Sequence, residues 1–184
     1  VFTVFIIEAI GAFILFFEFI KIYPFKRAVF YAMFHSVSAF CNAGFALFTL
    51  NLEDFKGSGI INFAIPLLIF LGGIGFASLL NIFDSIRSRK NKLYLTTKIA
   101  LVISFSLIII GMILTLVLER NNLGTLAHLS LKDKLLASLF QSVSTRTAGF
   151  NTIAMGALTA PTLFTYIRLM CIGASAGSTG GGIK

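Results

Sequence analysis

Residues 34–45 of this 184-residue chain read FHSVSAFCNAGF, and residues 140–150 read FQSVSTRTAGF. The two copies differ by one residue in length, between the last shared serine and the shared Ala-Gly-Phe. Each copy follows a short apolar segment and precedes a longer one. We therefore interpret the chain as two copies of one unit, in which a helix, a half-helix, a glycine-containing loop and a second helix follow in order. Internal repeats of this kind are typical of transport proteins.

The composition is that of a membrane protein. Hydrophobic residues make up 57% of the chain and charged residues 12%, whereas a soluble domain carries about 25% charged residues. So little polar surface cannot cover a water-soluble globule, which excludes a soluble enzyme and a disordered chain. The net charge of +8 comes from basic residues that are scattered or flank apolar segments. This distribution indicates contact with the lipid bilayer, and we predict no nucleic-acid partner.

Long and short apolar segments alternate along the chain. A membrane span needs about 20 apolar helical residues, and the segments 1–20, 60–83 and 99–118 meet that length. The segments 28–40 and 131–145 are too short to cross a membrane, so we predict that they are re-entrant pore helices.

The last apolar segment, 158–184, is predicted to be a broken span. Its glycine-rich stretch, 173–182, disfavours a helix because each interior glycine costs about 1 kcal/mol. The chain begins at Val1 without a methionine and ends at Lys184 directly after these glycines. We therefore expect it to be a piece of a longer chain.

These segments divide the chain into two pore units and a connection. The first unit is predicted to comprise 1–83 and the second 99–184. The connecting stretch, 84–98, is predicted to be a cytoplasmic loop, because basic residues concentrate on the cytoplasmic side of membrane proteins. The basic residues in that loop are Arg87, Arg89, Lys90, Lys92 and Lys98.

The loops 41–46 and 146–151 are the candidate ion-binding segments. Irregular backbone at membrane depth is tolerated only where it is buried in protein or lines a watery cavity, and the negative end of each half-helix points toward its loop. Glycine lets successive carbonyls replace the hydration shell of a cation. A divalent ion normally recruits carboxylates, and neither loop contains one, so we predict a monovalent cation. We expect the side chain of Arg146 to turn away from the pore and to bind a half-helix C-terminus or a carboxylate.

The sequence resembles the Trk/Ktr/HKT superfamily of potassium transporters, most closely its bacterial KtrB-type membrane subunits. The resemblance covers essentially the whole chain and rests on residues 34–45, 70–76, 142–151 and 173–184. It implies an all-α membrane protein with a pseudo-fourfold, cation-channel-like fold, in which four helix–pore-helix–filter-loop–helix units surround one pore. This chain resembles the second and third of those units.

The resemblance also implies the residues of a potassium filter and of a gate. Gly44 and Gly149 correspond to the filter glycines that favour potassium. The implied filter residues are Asn42, Ala43, Gly44, Phe45, Thr147, Ala148, Gly149 and Phe150. The implied gate is an intramembrane loop that contains Gly173, Ser175, Gly177, Ser178, Thr179, Gly180, Gly181 and Gly182.

Ions and partners follow from the same resemblance. Potassium would be the transported ion, sodium a coupling or activating ion, and no organic cofactor is implied for this chain. The partners would be the first and fourth pore units, a second copy in a homodimer, and a cytosolic nucleotide-binding regulatory ring that touches 84–98. The location would be the plasma membrane.

Two other readings stay open from the sequence. A different helical transporter could use such loops for another solute. Residues 173–177 also match the G-x-S-x-G pattern of serine hydrolases, which leaves an intramembrane serine protease as the other reading. Such a protease would need a histidine to activate Ser175. The two histidines of the chain are His35 and His128. Gly72, Gly73 and Gly75 are interpreted as positions where helices approach closely.

Overall fold

The computed structural model describes residues 2–87 and 92–183. Within those two ranges the regular structure is entirely helical, and the prediction of an all-α membrane protein is confirmed. Val1, Arg89, Lys90 and Lys184, which belong to predicted spans or to the predicted basic loop, lie outside the described residues. The helices are α1 Phe2–Phe19, α2 Phe25–Phe40, α3 Gly59–Gly73, α4 Phe76–Arg87, α5 Leu95–Glu119, α6 Leu131–Ser144 and α7 Ala160–Ile172.

Two of these helices, α1 and α5, are long and apolar enough to cross a membrane. The bent pair α3 and α4 makes a third crossing if it counts as one span, and α7 is a shorter apolar helix. α1 packs against α2 and α3, and α5 packs against α6 and α7. The two groups meet where α3 contacts α6 and where α4 contacts α5.

The first serine of each repeated motif forms a hydrogen bond between a short helix and the long helix that precedes it. The hydroxyl of Ser36 on α2 donates a hydrogen bond to the carbonyl oxygen of Glu8 on α1 at 2.7 Å. The hydroxyl of Ser142 on α6 donates to the carbonyl oxygen of Ile108 on α5, also at 2.7 Å. The repeat in sequence is therefore a repeat of one tertiary contact.

A glycine one turn further along each long helix makes room for this contact. A Cβ atom at Gly11 would lie 2.5 Å from Ser36 Oγ, and a Cβ at Gly111 would overlap Ser142 Oγ. Real Cβ atoms do not approach other atoms that closely, so a side chain at either glycine would push the short helix away.

The prediction of one continuous span over 60–83 is wrong. α3 ends at Gly73 and α4 begins at Phe76, with an angle of 105° between them. The break occurs at Gly75, whose φ of 97° is a conformation that residues with a side chain rarely adopt. The first unit therefore has a broken last helix, as the second unit does.

The prediction of a loop over the whole of 84–98 is also wrong at both ends. Residues up to Arg87 belong to α4, and residues from Leu95 onward belong to α5. The main-chain N–H of Tyr94 donates to Asn81 Oδ1 at 2.9 Å. This bond ties the start of α5 to α4.

Glu119, at the last position of α5, anchors the start of α7. The side chain is fully buried. Its Oε1 accepts hydrogen bonds from the N–H and hydroxyl of Thr159 and from the hydroxyl of Thr162. Its Oε2 accepts bonds from Asn122 and Thr125. The carboxylate also lies at the positive end of the α7 dipole, which further favours its negative charge.

We expect Gly111→Ala to destabilise the second unit by about 1 to 3 kcal/mol, because overpacking a tight contact forces side chains and backbone to move. Gly59→Ala is the matched control, since no atom lies within 4 Å of the added methyl group. Thermal unfolding of the purified full chain in detergent measures both changes. Equal melting temperatures for the two variants would contradict the close-contact assignment.

We expect Glu119→Gln to lower the free energy of unfolding by about 2 kcal/mol, because hydrogen bonds to a charged group contribute about 1.5 to 3 kcal/mol. The new amide NH₂ would also face hydrogen-bond donors in place of an acceptor oxygen. Asp54→Asn removes the same charge from an exposed side chain and serves as the control. Thermal unfolding of both variants checks this, and a neutral Glu119→Gln would show that the five bonds do not stabilise the fold.

Candidate cation-binding site

Two glycine loops begin where the short helices α2 and α6 end. Each loop enters the left-handed backbone region at two positions. The first lies two residues before the shared glycine, and the second is the glycine itself. The φ angles are 51° for Asn42 and 71° for Gly44 in the first loop, and 73° for Thr147 and 85° for Gly149 in the second. The loops therefore share the same pattern of positive φ despite their different side chains.

The two loops touch at their glycines. A Cβ atom at Gly44 would overlap the carbonyl oxygen of Ala148 and would lie 2.7 Å from the Cα of Gly149. A Cβ at Gly149 would lie 3.2 Å from the Cα of Gly44. The structure thus brings together the two glycines that the sequence singled out, although they are 105 residues apart.

The second serine of each motif holds the far end of its loop. The hydroxyl of Ser38 donates to the carbonyl oxygen of Phe45 at 2.9 Å, and the hydroxyl of Ser144 donates to the carbonyl oxygen of Phe150. Both carbonyls therefore already accept one hydrogen bond. The side chain of Phe45 is exposed, whereas that of Phe150 is buried.

Main-chain oxygens between these serines and phenylalanines are available for a cation. Among the carbonyls of residues 42–44 and 147–149, none accepts a hydrogen bond from residues 2–87 or 92–183, apart from that of Gly149, which Asn51 Nδ2 approaches at 3.5 Å. The C-terminal, negative ends of α2 and α6 add to the favourable potential for a cation. The free carbonyls are those of Asn42, Ala43, Gly44, Thr147 and Ala148.

The glycine-rich segment 173–182 follows α7 and covers the end of α3. The N–H groups of Ser175 and Thr179 donate to the carbonyls of Gly73 and Gly72 at 3.0 and 3.3 Å. The N–H of Phe76, at the start of α4, donates in turn to the carbonyl of Gly177 at 3.1 Å. The segment therefore supplies hydrogen-bond partners that the broken end of α3 would otherwise lack.

The same segment also bonds both glycine loops. Asn42 Nδ2 donates to Thr179 Oγ1 at 2.7 Å, and the N–H of Gly181 donates to Thr147 Oγ1 at 2.8 Å. The residues that the resemblance assigns to a gate are thus in direct contact with those that it assigns to a filter.

Arg146 lies beside the second loop, and its guanidinium bonds the end of α7. Its Nε donates to the carbonyl oxygen of Gly173 at 3.2 Å, and within the described ranges no carboxylate forms an ion pair with it. The side chain is buried and borders a cavity of about 460 Å³ between α5 and the glycine-rich segment. The positive charge is therefore directed at the negative end of a helix.

His35 has a structural role. The N–H of Leu47 donates to its Nε2 at 3.3 Å, so its Nδ1 carries the proton and donates to the carbonyl of Tyr31 at 2.7 Å. The ring stacks on Phe48 with 4.9 Å between centroids. Both nitrogens are occupied, so His35 has no free base with which to activate Ser175. His128 is exposed in the segment between α5 and α6.

A polar network that the sequence did not reveal joins the two units beyond the loops. Asn151 donates its side-chain N–H to Glu53 Oε1 at 2.9 Å and its main-chain N–H to Asn51 Oδ1 at 3.3 Å. The N–H of Leu52 donates to the carbonyl of Asn151 at 3.1 Å. The asparagine directly after the second Ala-Gly-Phe was a signal for this network, but its partners lie about 100 residues away.

Comparison with known proteins gives a family match over the whole chain. The family of cation transport proteins called TrkH matches residues 1–184. Ktr system potassium uptake protein B is 40% identical over 96% of this chain in Vibrio alginolyticus and 42% identical over 97% in Bacillus subtilis. Potassium/sodium uptake protein NtpJ of Enterococcus hirae is 36% identical over 97%. The chain spans only 39%, 40% and 39% of the length of these three curated relatives.

Proposed function

Because the chain belongs to the TrkH family of cation transport proteins, we propose that it is part of a protein that takes up potassium across the plasma membrane. The contact between the loops of Gly44 and Gly149 carries this proposal, since it gathers unpaired carbonyls from two units at one place. The names of the relatives, which are potassium uptake proteins, support the same ion.

The two glycine loops act as part of a selectivity filter in this proposal. Carbonyl oxygens of Asn42, Ala43 and Gly44 in one loop replace water around a dehydrated potassium ion. Those of Thr147, Ala148 and Gly149 do the same from the other loop. The bonds from Ser38 and Ser144 fix the carbonyls of Phe45 and Phe150, which close the outer end.

The glycine-rich segment acts as the gate. It contacts both filter loops, and it contains three glycines with positive φ, at 173, 177 and 182. Glycine changes backbone conformation at low cost, which suits a segment that moves to let ions pass. Conduction is passive, through the carbonyl filter and past this segment.

Further units and partners complete the proposal. Two filter loops do not enclose an ion, so the first and fourth pore units supply the remaining sides. From the resemblance we also propose a homodimer and a cytosolic nucleotide-binding regulatory ring that contacts the cytoplasmic stretch 84–98. Sodium acts as a coupling or activating ion, and the name of the Enterococcus hirae relative is consistent with such a role.

We expect Gly44→Ser and Gly149→Ser to reduce the preference for potassium over sodium about ten-fold, since a strained left-handed residue costs about 1 to 3 kcal/mol. The full gene is expressed in bacteria that lack their own potassium uptake systems, and potassium and sodium uptake are measured. Gly156→Ser is the control, because nothing lies within 4 Å of a Cβ there. Unchanged selectivity in both filter variants would remove the filter assignment.

We expect deletion of 173–182 to give faster, leakier potassium uptake than the wild type, because the gate no longer blocks the path. Growth at low potassium and uptake rate are measured in the same cells, with membrane insertion checked by immunoblot. Uptake at the wild-type rate would contradict the gate assignment. Uptake of an anion or a neutral solute in place of potassium by the wild type would favour the transporter of another solute.

A further inference from the structure

Asn42 and Thr147 occupy equivalent positions, two residues before the glycine of each filter loop. Both have positive φ, at 51° and 73°. Asparagine tolerates this region, but a β-branched threonine is an outlier there. Such a conformation persists only where surrounding contacts hold it in place. The contacts around these two side chains therefore stabilise the left-handed residue of each loop.

The side chain of Asn42 is held by Thr179. Asn42 Nδ2 donates to Thr179 Oγ1 at 2.7 Å. The same hydroxyl lies 3.0 Å from the carbonyl oxygen of Phe40 and 3.2 Å from that of Gly72. Since a carbonyl only accepts, the single hydroxyl proton of Thr179 is shared between these two oxygens, and the hydroxyl oxygen accepts from Asn42. Thr179 thus joins the first filter loop, the end of α2 and the end of α3.

The side chain of Thr147 is held by the same glycine-rich segment. Its Oγ1 accepts a hydrogen bond from the N–H of Gly181 at 2.8 Å, and a Cβ at Gly180 would lie 2.9 Å from that oxygen. Within the described ranges, Thr145, two residues earlier, forms no hydrogen bond to the glycine-rich segment. Its hydroxyl donates to the carbonyl oxygen of Ser142 at 2.9 Å, within its own helix end.

We propose that Asn42 and Thr147 are positioning residues through which the glycine-rich segment holds both filter loops in their ion-binding conformation. This inference rests on the proposed function and gives the segment a second role, in ion selectivity. The segment and the filter are then coupled, because movement of the segment breaks or displaces the two bonds that hold the left-handed residues.

Isosteric substitutions test this coupling in the full chain, expressed in bacteria without their own potassium uptake. Thr147→Val and Thr179→Val remove one hydroxyl each and keep the shape of the side chain. Thr147→Ser and Thr179→Ser keep the hydroxyl, and Thr145→Val removes a hydroxyl that does not reach the segment. For each variant the KM for potassium, the inhibition by sodium and the maximal uptake rate are measured.

We expect each valine variant to lower the preference for potassium over sodium about five-fold, the effect of one lost hydrogen bond. Thr145→Val is expected to keep the wild-type preference, and each serine variant, which retains the hydroxyl, is expected to lose less of it than the matching valine variant. A change in maximal rate alone, with the wild-type preference retained in both valine variants, overturns the inference and leaves the segment as a gate only. If Thr147→Val does not reach the membrane, Thr179→Val decides, because Thr179 lies outside the filter loops.

The same experiment separates this inference from the proposed function. Wild-type cells that take up potassium support the proposed function, whatever the valine variants do. Wild-type protein that is inserted but moves no potassium contradicts the proposed function itself, and the inference falls with it.

Discussion

Unpaired main-chain carbonyls at the contact between two apolar units are the constraint around which this structure is organised. Such groups are costly unless they are hydrogen-bonded or bind a ligand. Here the carbonyls of Ala43 and Ala148, like those of Asn42, Gly44 and Thr147, have no hydrogen-bond partner in the part of the chain that the structure describes. The contacts around them, from the serines of the repeat to the glycine-rich segment, hold them close together in space.

The repeat gives both units the same serine hydrogen bonds, while other contacts differ between the units. Ser36 and Ser142 make the same bond to the preceding long helix, and Ser38 and Ser144 make the same bond to the end of the loop. The differences lie where the units meet the glycine-rich segment. That segment belongs only to the second unit, and it bonds the two loops through different groups. Asn42 reaches it with an amide donor and Thr147 with a hydroxyl acceptor.

The sequence predicted the helices and the paired loops because hydropathy and a repeated motif are local signals. It did not predict the bend at Gly75, since a glycine within an apolar run is equally compatible with close helix packing, which Gly72 does provide against Phe40. Nor did it reveal that Glu119 caps α7, because its partners Thr159 and Thr162 are about 40 residues away. Such pairings depend on how the helices are arranged, and a single sequence does not carry that information.

The capping of α3 by the glycine-rich segment has a consequence for biosynthesis. The carbonyls of Gly72 and Gly73 find their partners in residues 179 and 175, about 100 residues later in the chain. A ribosome adds about 5 to 20 residues per second. The hydrogen bonds to these carbonyls therefore form no earlier than about 5 to 20 seconds after α3 has been synthesised. The first unit therefore lacks these bonds until the second unit has been synthesised.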